Sequence, residues 1–268
     1  MRRPRRLPCF SPAADGRNSA MAHAVATYLS QKFTLHRFDR LDSTNAEALR
    51  NGAPHGHVYV AQAQEAGRGR QGREWISPAG NLYITICVEV PEGVNPAQLA
   101  FVAGLGVLDT VAGVTADIRV SLKWPNDVLL NGKKVAGILI EAGQSGGYAV
   151  GIGINLAHSP SPAETRFPAT SILEESGVLS TVDDELENLC TRFSHWYRQW
   201  GADGFEPLRA VWLASAHAIG DTIAASIGTG RLDGRFDGLD ADGALLLTDE
   251  GGRQHVITAG DVILPGNG

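Results

Sequence analysis

The apolar positions of this chain repeat with the period of a strand in several short segments and with that of a helix in a few longer ones. Side chains of a strand point alternately to its two faces, so alternating or β-branched runs predict strands. The predicted strands are residues 57–64, 81–90, 118–122, 127–130, 135–141 and 148–156. Asn131 and Gly132 join the fourth to the fifth, and this dipeptide is typical of a tight hairpin turn.

Three later segments have helical spacing of their apolar residues. Residues 96–111 combine apolar and small side chains, which permit close packing, and residues 205–215 form a shorter helix. Residues 183–200 are amphipathic, with one apolar stripe that we expect to lie in the core. The stripe contains Leu186, Leu189, Phe193, Trp196, Tyr197 and Trp200.

A further helix is predicted to begin in the segment Asp42-Ser43-Thr44-Asn45-Ala46-Glu47. Thr44 is the predicted N-cap, Glu47 its capping-box partner, and Gly52 ends the helix. Two interpretations remain open for this segment. It is either a well-capped helix start, or a helix N-terminus whose free N–H and hydroxyl groups hold polar ligand atoms.

After Gly220 the pattern changes to short strands separated by Gly and Asp turns, which predicts a small C-terminal β-barrel. These strands are residues 222–227, 230–239, 244–249, 255–258 and 261–264. Successive strands with few helices between them predict an α+β fold whose central sheet is mainly antiparallel. We expect a disordered tail at residues 1–20, a catalytic domain at 21–215 and the barrel at 216–268. The change in composition after the basic tail makes Met21 a candidate translation start.

Composition narrows the possible classes of function. The chain has 268 residues, 43% hydrophobic residues and a formal net charge of -6, which disfavours a general nucleic-acid-binding protein. Cys9, Cys87 and Cys190 are too few and too scattered for a disulfide framework or a zinc site. No run approaches the roughly 18 apolar residues of a membrane span. We therefore expect a protein of the reducing cytoplasm that does not enter a membrane.

The segment Gly67-Arg68-Gly69-Arg70-Gln71-Gly72-Arg73-Glu74-Trp75 has the composition of an anion-binding loop. Arginine guanidinium groups match carboxylate and phosphate oxygens, and glycine lets the backbone approach a ligand closely. The residues by themselves equally allow a solvated basic loop or a nucleic-acid contact.

A second cluster is Lys123-Trp124-Pro125-Asn126-Asp127, followed closely by Lys133 and Lys134. Lys134 begins the returning strand of the hairpin, so its ammonium group can lie near Asn126 and Asp127 and meet a carboxylate or phosphate. The alternative is a hairpin with surface lysines, and we accept that interpretation for Lys133. Gly137 would leave room for a ring or a close backbone approach.

The glycines of Gly151-Ile152-Gly153-Ile154-Asn155 share one face of a predicted strand and leave it flat. A dinucleotide-binding fingerprint would need a third glycine followed directly by a helix. Neither that fingerprint nor a Walker-type lysine loop is present.

Taken in this order, the motifs resemble those of the biotin protein ligases (biotin–[acetyl-CoA-carboxylase] ligases), over residues 41–264. The matching pieces are Ser43-Thr44-Asn45, Gln64 ahead of GRGRQGREW, KWPNDVLLNGKKVAGILIE, GIGIN and GLDADGALLL. The resemblance implies the biotinyl/lipoyl ligase fold, which is like that of class II aminoacyl-tRNA synthetases, with an SH3-like C-terminal barrel. It also implies two reaction steps. Biotin and MgATP form biotinyl-5′-AMP and pyrophosphate, and the biotinyl group then passes to a lysine of a carrier-protein domain.

The resemblance also implies roles for individual residues. The catalytic residues would be Lys134, Arg70 and Asp127. Biotin would be bound by Ser43, Thr44, Asn45, Gln64, Gly67, Arg68, Gly69, Arg70, Lys134, Gly137 and Gly153. ATP and the adenylate would be bound by Arg70, Arg73, Trp75, Asn126, Lys134 and Asn155, with Mg²⁺ carried by ATP and close to Asn126 rather than held by a protein-only metal site.

The expected partner is the biotin carboxyl carrier domain of a biotin-dependent carboxylase. Only about forty residues precede the Ser-Thr-Asn motif, too few for the helix-turn-helix domain of some family members, so we expect no specific DNA binding. The expected oligomeric state is a monomer or a homodimer. The alternatives are a lipoate or octanoate ligase or transferase of the same general fold, and a non-catalytic biotin sensor.

Overall fold

The computed structural model describes residues 33–115, 117–144, 146–165, 167–227 and 230–263. The predicted tail at 1–20, the candidate start Met21 and Cys9 lie outside these ranges. Seven strands form the central sheet: β1 (Thr34–Leu41), β2 (His57–Gln64), β3 (Leu82–Glu89), β4 (Val120–Lys123), β5 (Asp127–Leu130), β6 (Lys133–Ala142) and β7 (Gly147–Ile154).

The strand order in this sheet is β1-β2-β3-β7-β6-β5-β4. Strands β1 and β2 are parallel, and every other neighbouring pair is antiparallel. The expectation of an α+β fold with a mainly antiparallel sheet is therefore confirmed. The sequence pattern did not predict β1, whose side chains are mostly exposed because it is an edge strand.

The described part of the chain has five α-helices beside the sheet. They are α1 (Thr44–Arg50), α2 (Leu99–Val114, preceded by a 3₁₀ turn at Pro96–Gln98), α3 (Ile172–Ser176), α4 (Val182–Asp203) and α5 (Phe205–Ala214). All six side chains of the predicted stripe on α4 are buried, so that prediction is confirmed. Small residues allow α2 and α4 to approach, since a Cβ added at Gly106 would lie only 3.2 Å from the backbone of Phe193.

By length and composition, the stretch Pro96–Val114 is long and apolar enough to cross a membrane. The expectation that no apolar run comes near this length is therefore wrong for this stretch. Of its apolar window, 61% is buried inside the molecule, and α2 packs against α4 and α5 as a core helix does.

The predicted start of α1 is wrong by one residue. Ser43 is the N-cap, with extended backbone angles, and its side chain accepts a hydrogen bond from the Ala46 backbone N–H. Thr44 is the first helical residue, and Glu47 pairs with Arg50 rather than closing a capping box. The three consecutive polar residues before Ala46 made the cap position ambiguous from the sequence. As a consequence of the shift, the Thr44 hydroxyl is free to interact elsewhere.

The C-terminal strands form a second, five-stranded sheet in the order β11-β10-β9-β8-β12. The strands are β8 (Thr222–Ile227), β9 (Gly230–Leu239), β10 (Leu245–Thr248), β11 (Gln254–Ile257) and β12 (Asp261–Ile263). This small antiparallel sheet confirms the expected SH3-like fold class. The exact domain limits, 21–215 and 216–268, remain a prediction.

Hydrogen bonds beside β4 help to hold the second sheet next to the central one. The connection after α5 pairs with edge strand β4, because Leu122 N donates to Ser215 O at 2.8 Å and His217 N donates to Leu122 O at 2.7 Å. The Trp124 indole N–H donates to Gly243 O at 3.0 Å. Both contacts lie beside the Lys-Trp-Pro-Asn-Asp segment and fix its position relative to the second sheet.

Cys87 and Cys190 are free thiols. Burial raises the pKa of each thiol to about 12, so neither is an activated nucleophile.

Candidate active site

A cavity of about 1260 Å³ opens between the arginine-rich loop, one face of the central sheet and the edge of the second sheet. Its lining includes most residues that the sequence singled out. These are Ser43, Thr44, Asn45, Gln64, Arg68, Gly69, Arg70, Arg73, Trp75, Asn126, Asp127, Lys134, Gly137, Gly153 and Asn155. Segments far apart in the sequence therefore converge on one concave site.

The start of α1 and the end of β2 form the polar end of the cavity. The Thr44 backbone N–H donates to Gln64 Oε1 at 2.9 Å, and the Gln64 amide nitrogen donates to Ser77 Oγ at 2.9 Å. Ser43, Thr44 and Asn45 are all buried. Because β2 ends beside the first turn of α1, hydroxyl, amide and backbone groups face one small volume and can read a polar ring from several sides.

Buried Thr85 on β3 connects this polar set to its neighbours. Its hydroxyl lies 2.6 Å from Asn45 Oδ1 and 2.9 Å from the Thr44 hydroxyl. A hydroxyl has one proton and an amide oxygen can only accept, so Thr85 donates to Asn45. The sequence alone does not single out Thr85, because a β-branched residue is ordinary in a strand.

The flat wall of the cavity consists of glycines on adjacent strands. Gly137 on β6 lies opposite Gly153 on β7 in the antiparallel register. The Trp75 ring covers this wall, since a Cβ added at Gly137 or Gly153 would lie 2.8 Å or 2.5 Å from ring atoms. The indole Nε1 is buried and has no hydrogen-bond partner among the described residues. The arginine loop thus places an aromatic ring on the flat surface expected from the Gly-x-Gly pattern.

Next to this wall, two ammonium groups share one buried carboxylate. Lys134 Nζ lies 2.6 Å from Asp127 Oδ1, and Lys123 Nζ lies 3.2 Å from Asp127 Oδ2. Burial raises the pKa of Asp127, but Lys134 and Lys123 outweigh it and lower that pKa to about 2. The trio carries one net positive charge at neutral pH, and its Lys134 Nζ also lies 5.2 Å from the centre of the Trp75 ring.

The arginine loop reaches across the cavity to the second sheet. Arg70 Nη1 lies 3.3 Å from Asp261 Oδ1 and donates to Gly260 O at 3.1 Å, and Arg73 Nη2 lies 3.0 Å from Asp261 Oδ2. Arg70 also donates to Asn126 Oδ1 at 3.3 Å. Arg70 and Lys134 therefore line the same cavity.

Two candidate residues are already engaged elsewhere. Gly67 does not line the cavity: a Cβ there would lie 2.3 Å from Trp75 O and 2.6 Å from Ser77 Oγ, so this position shapes the base of the loop. Asn155 lines the cavity, but its amide nitrogen donates to Thr170 O at 3.0 Å.

No role was predicted from the sequence for several residues that contact the site, among them Thr85, Ser77, Lys123 and Asp261. The role of Lys123 was the easiest of these to predict from the sequence, because Lys123 begins the Lys-Trp-Pro-Asn-Asp segment and lies four residues before Asp127. Asp261 begins β12, about 190 residues after the arginine loop in the sequence, and only the tertiary fold brings the two together.

The fold and the site are those of a ligase that activates a carboxylic acid, and comparison with known proteins agrees. The model of the biotin/lipoate A/B protein ligase family matches residues 37–157, and that of the biotin protein ligase C-terminal domain matches residues 219–264. The chain is 45% identical over 242 residues to a biotin–[acetyl-CoA-carboxylase] ligase of Paracoccus denitrificans, covering 85% of this chain and 99% of that protein. This chain belongs to the biotin protein ligase family.

Two further relatives differ in length or in bound ligands. The bifunctional ligase/repressor BirA of Bacillus subtilis is 33% identical, over 82% of this chain and 71% of that protein. The structure of a biotin protein ligase from Aquifex aeolicus in complex with biotin and ATP has a TM-score of 0.78 and 31% identity. That match covers 86% of this chain and 98% of the other.

Proposed function

We propose that this chain activates biotin with ATP to biotinyl-5′-AMP and transfers the biotinyl group to a lysine of the biotin carboxyl carrier domain of a carboxylase. The observation that carries this proposal is the convergence of the Lys134 ammonium group and the arginine loop on one cavity. One end of that cavity has polar groups for a ring, and the other has cations for a carboxylate and a phosphate.

Biotin lies with its ureido ring at the polar end, against Ser43, Thr44, Asn45 and Gln64. Arg68 and Gly69 belong to the loop that closes over it. Gly137 and Gly153 supply the flat wall, and Gly67 acts only through the shape of the loop. The support is the burial and mutual hydrogen bonding of the polar set, which holds donors and acceptors in fixed directions before a ligand arrives.

In the first step a biotin carboxylate oxygen attacks the α-phosphorus of ATP, the bond to the β-phosphate breaks and pyrophosphate leaves. Lys134 and Arg70 bring two anions together and stabilise the charge that develops on the α-phosphate. Arg73, Asn126 and Trp75 border the nucleotide end of the cavity. Asn155 acts indirectly, because its amide is bonded to the backbone of Thr170.

In the second step the neutral amine of the acceptor lysine attacks the biotinyl carbonyl carbon, the bond to AMP breaks, AMP leaves, and the proton that the amine releases passes to solvent. We assign Asp127 the role of orienting Lys134 rather than that of deprotonating the acceptor. A carboxylate with a pKa of about 2, paired with two lysines, is a weak base.

Mg²⁺ enters with ATP in this proposal. Within the described ranges, no group of three or more His, Cys, Asp or Glu side chains is placed to hold a metal ion. Asp127 and Asp261 of the cavity are already paired with cationic side chains. The residues present therefore do not fit a protein-only magnesium site.

The remaining proposals concern the setting of the enzyme. We infer action in the cytoplasm, where carboxylases and free thiols coexist, without specific DNA binding or membrane insertion, as a monomer or a homodimer. A lipoate or octanoate enzyme is disfavoured, because a linear apolar acid would offer no hydrogen-bonding groups to the buried polar end of the cavity.

The direct test is mass spectrometry of a carrier domain incubated with the enzyme, biotin and MgATP, and we expect one biotinyl adduct. Lys134→Ala should lower the rate of adduct formation at least about tenfold, because it removes a charge-assisted hydrogen bond to the reacting groups. Lys133→Ala is the matched control, because this neighbouring lysine is exposed and pairs with Glu175 outside the cavity. Pyrophosphate exchange driven by lipoate but not by biotin would contradict the assignment.

A further inference from the structure

The carboxylate of Glu141, near the end of β6, touches two parts of the site without lining the cavity. Glu141 Oε2 accepts a hydrogen bond from Asn45 Nδ2 at 2.8 Å and lies 3.0 Å from Arg68 Nη2. Asn45 belongs to the polar end of the cavity, and Arg68 belongs to the arginine loop. One oxygen atom therefore joins the ring-binding end to the loop that covers it.

This contact closes a circuit of hydrogen bonds. From Glu141 the circuit runs through Asn45, Thr85 and Thr44 to Gln64, whose amide nitrogen donates to Ser77. Ser77 Oγ then donates to Trp75 O at 2.7 Å. The circuit contacts the arginine loop at two places: the Arg68 side chain pairs with Glu141, and the Trp75 backbone carbonyl accepts from Ser77. Both ends of the loop are therefore tied to the polar end of the cavity.

Glu141 also fixes the orientation of the Asn45 amide. The Asn45 nitrogen faces two acceptors, Glu141 Oε2 and Leu139 O at 3.2 Å, while its oxygen faces the Thr85 hydroxyl. Turning the amide over would place its oxygen against the carboxylate and the carbonyl, which is repulsive. The carboxylate thus decides which hydrogen-bonding groups of Asn45 are available to a ligand.

Space around Asn45 allows no simple alternative position. A Cβ added at Gly151 would lie 2.3 Å from Asn45 Oδ1, so this strand already contacts the amide closely. Asn45 is itself 3% exposed. With no room to move aside, the Asn45 amide can change only by turning over, and Glu141 and Leu139 O together oppose that turn.

We propose that Glu141 is a positioning residue that couples biotin recognition to closure of the arginine loop, acting through Asn45 and Arg68. This inference rests on the proposed function and names a residue that it does not use. Biotin bound at the polar end of the cavity strengthens this circuit of hydrogen bonds, and the circuit keeps the arginine loop closed. Removing the carboxylate frees the Asn45 amide and releases Arg68 together.

The test compares Glu141→Ala and Glu141→Gln with Glu206→Ala. Glu206 is the control because it forms an exposed ion pair with Arg209 on α5. We expect Glu141→Ala to raise the KM for biotin about tenfold while kcat stays within about twofold, since the lost contacts position the ring rather than the reacting atoms. Glu141→Gln keeps an acceptor of similar length and should raise the KM by about threefold.

Limited trypsin digestion gives a second readout that needs no catalysis. Arg68, Arg70 and Arg73 are trypsin sites within the loop. We expect biotin to protect these bonds in the wild-type chain and in Glu206→Ala, and to protect them at least about threefold less in Glu141→Ala. Arg68→Ala and Glu141→Ala should also combine to less than the product of their separate effects on KM, because they break one shared contact.

Several outcomes would overturn the inference. One is a KM for Glu141→Ala equal to that of Glu206→Ala, and another is independent effects of Arg68→Ala and Glu141→Ala. Should Glu141→Ala fail to fold, Glu141→Gln decides: unchanged KM and unchanged protection contradict the coupling. A wild-type chain that biotinylates no carrier contradicts the proposed function instead. In that case, equal protection of the wild-type chain and Glu141→Ala by biotin still contradicts the coupling.

Discussion

At the scale of single residues, the site depends as much on absent side chains as on present ones. Gly137 and Gly153 face each other across β6 and β7, and their lack of Cβ atoms lets the Trp75 ring lie flat on the sheet. The glycine pattern predicted a flat surface, but the sequence could not say which ring covers it.

Gly153→Ala should displace the Trp75 ring, because the new Cβ would lie 2.5 Å from its Nε1. Overpacking of this kind costs about 1–3 kcal/mol, so we expect kcat/KM for biotinylation to fall about tenfold or more. Gly113→Ala is the control, since nothing lies within 4 Å of its added Cβ. Steady-state kinetics of carrier biotinylation measures both variants, and equal kinetics would argue against a packed ring at this wall.

The ionisation of Asp127 gives a second prediction at this scale. The two lysines depress its pKa to about 2 against burial, from an ordinary value of 3.8. The stability due to this ionised carboxylate is thus complete above about pH 4 and is lost as the pH falls toward 2. The carboxyl ¹³C chemical shift of Asp127 should stay constant from pH 7 to about pH 4. A midpoint at or above 3.8 would show that the lysines do not hold the charge.

At the scale of elements, the hairpin of β5 and β6 brings the charged trio together. Asn131 and Gly132 have φ angles of 50° and 78°, as the predicted tight turn requires. A register shift between Val128 and Leu129 then places Lys134 opposite Leu129. The turn was readable from two residues, whereas the register shift became visible only with both strands paired.

Gly132→Val should destabilise the hairpin, because a β-branched residue is strained at positive φ. We expect the free energy of unfolding to fall by about 1–2 kcal/mol, measured by urea denaturation. Lys133→Val, one residue later in the extended strand, loses only a surface ion pair and should change stability little. If the two variants were equally stable, the turn would not depend on the conformational freedom of Gly132.

Elements with strong periodicity were predicted well, and elements set by their neighbours were not. The aromatic stripe of α4 is buried as its spacing indicates. Strand β1 was missed because its partly polar sequence becomes a strand only by pairing with β2 in parallel. The cap of α1 was misplaced because Ser43 and Thr44 can both serve as N-cap residues, and in the folded chain the Thr44 backbone N–H donates to Gln64.

At the scale of the whole molecule, the second sheet is part of the site. Asp261 holds Arg70 and Arg73, and the turn at Gly243 accepts the hydrogen bond of Trp124. The Lys-Trp-Pro-Asn-Asp segment therefore has two roles: Asp127 serves the cavity, and Trp124 fastens the second sheet beside it.

Trp124→Phe removes the indole N–H and leaves Gly243 O without this hydrogen-bond donor. We expect a loss of about 1–3 kcal/mol, or a Tm lower by about 2–6 °C, with faster proteolysis near residues 215–217. Trp196→Phe, which loses a hydrogen bond from α4 to Asp109 on α2, should lower Tm without exposing residues 215–217. Calorimetry and limited proteolysis test this. Equal cleavage in both variants would mean that Trp124 does not fasten the two sheets together.

The sequence by itself determined the elements with strong local signals: the hairpin turn, the buried helix stripe, the flat glycine strand and the cationic loop. These depend on backbone preference and on spacing within one segment, which the order of residues records directly. The tertiary structure decided which groups meet: Lys123 and Lys134 on Asp127, Asp261 on the arginine loop, and Glu141 between Asn45 and Arg68. Hydrogen bonds and ion pairs act over about 3 Å, and only folding brings residues as distant as Arg73 and Asp261 within that range.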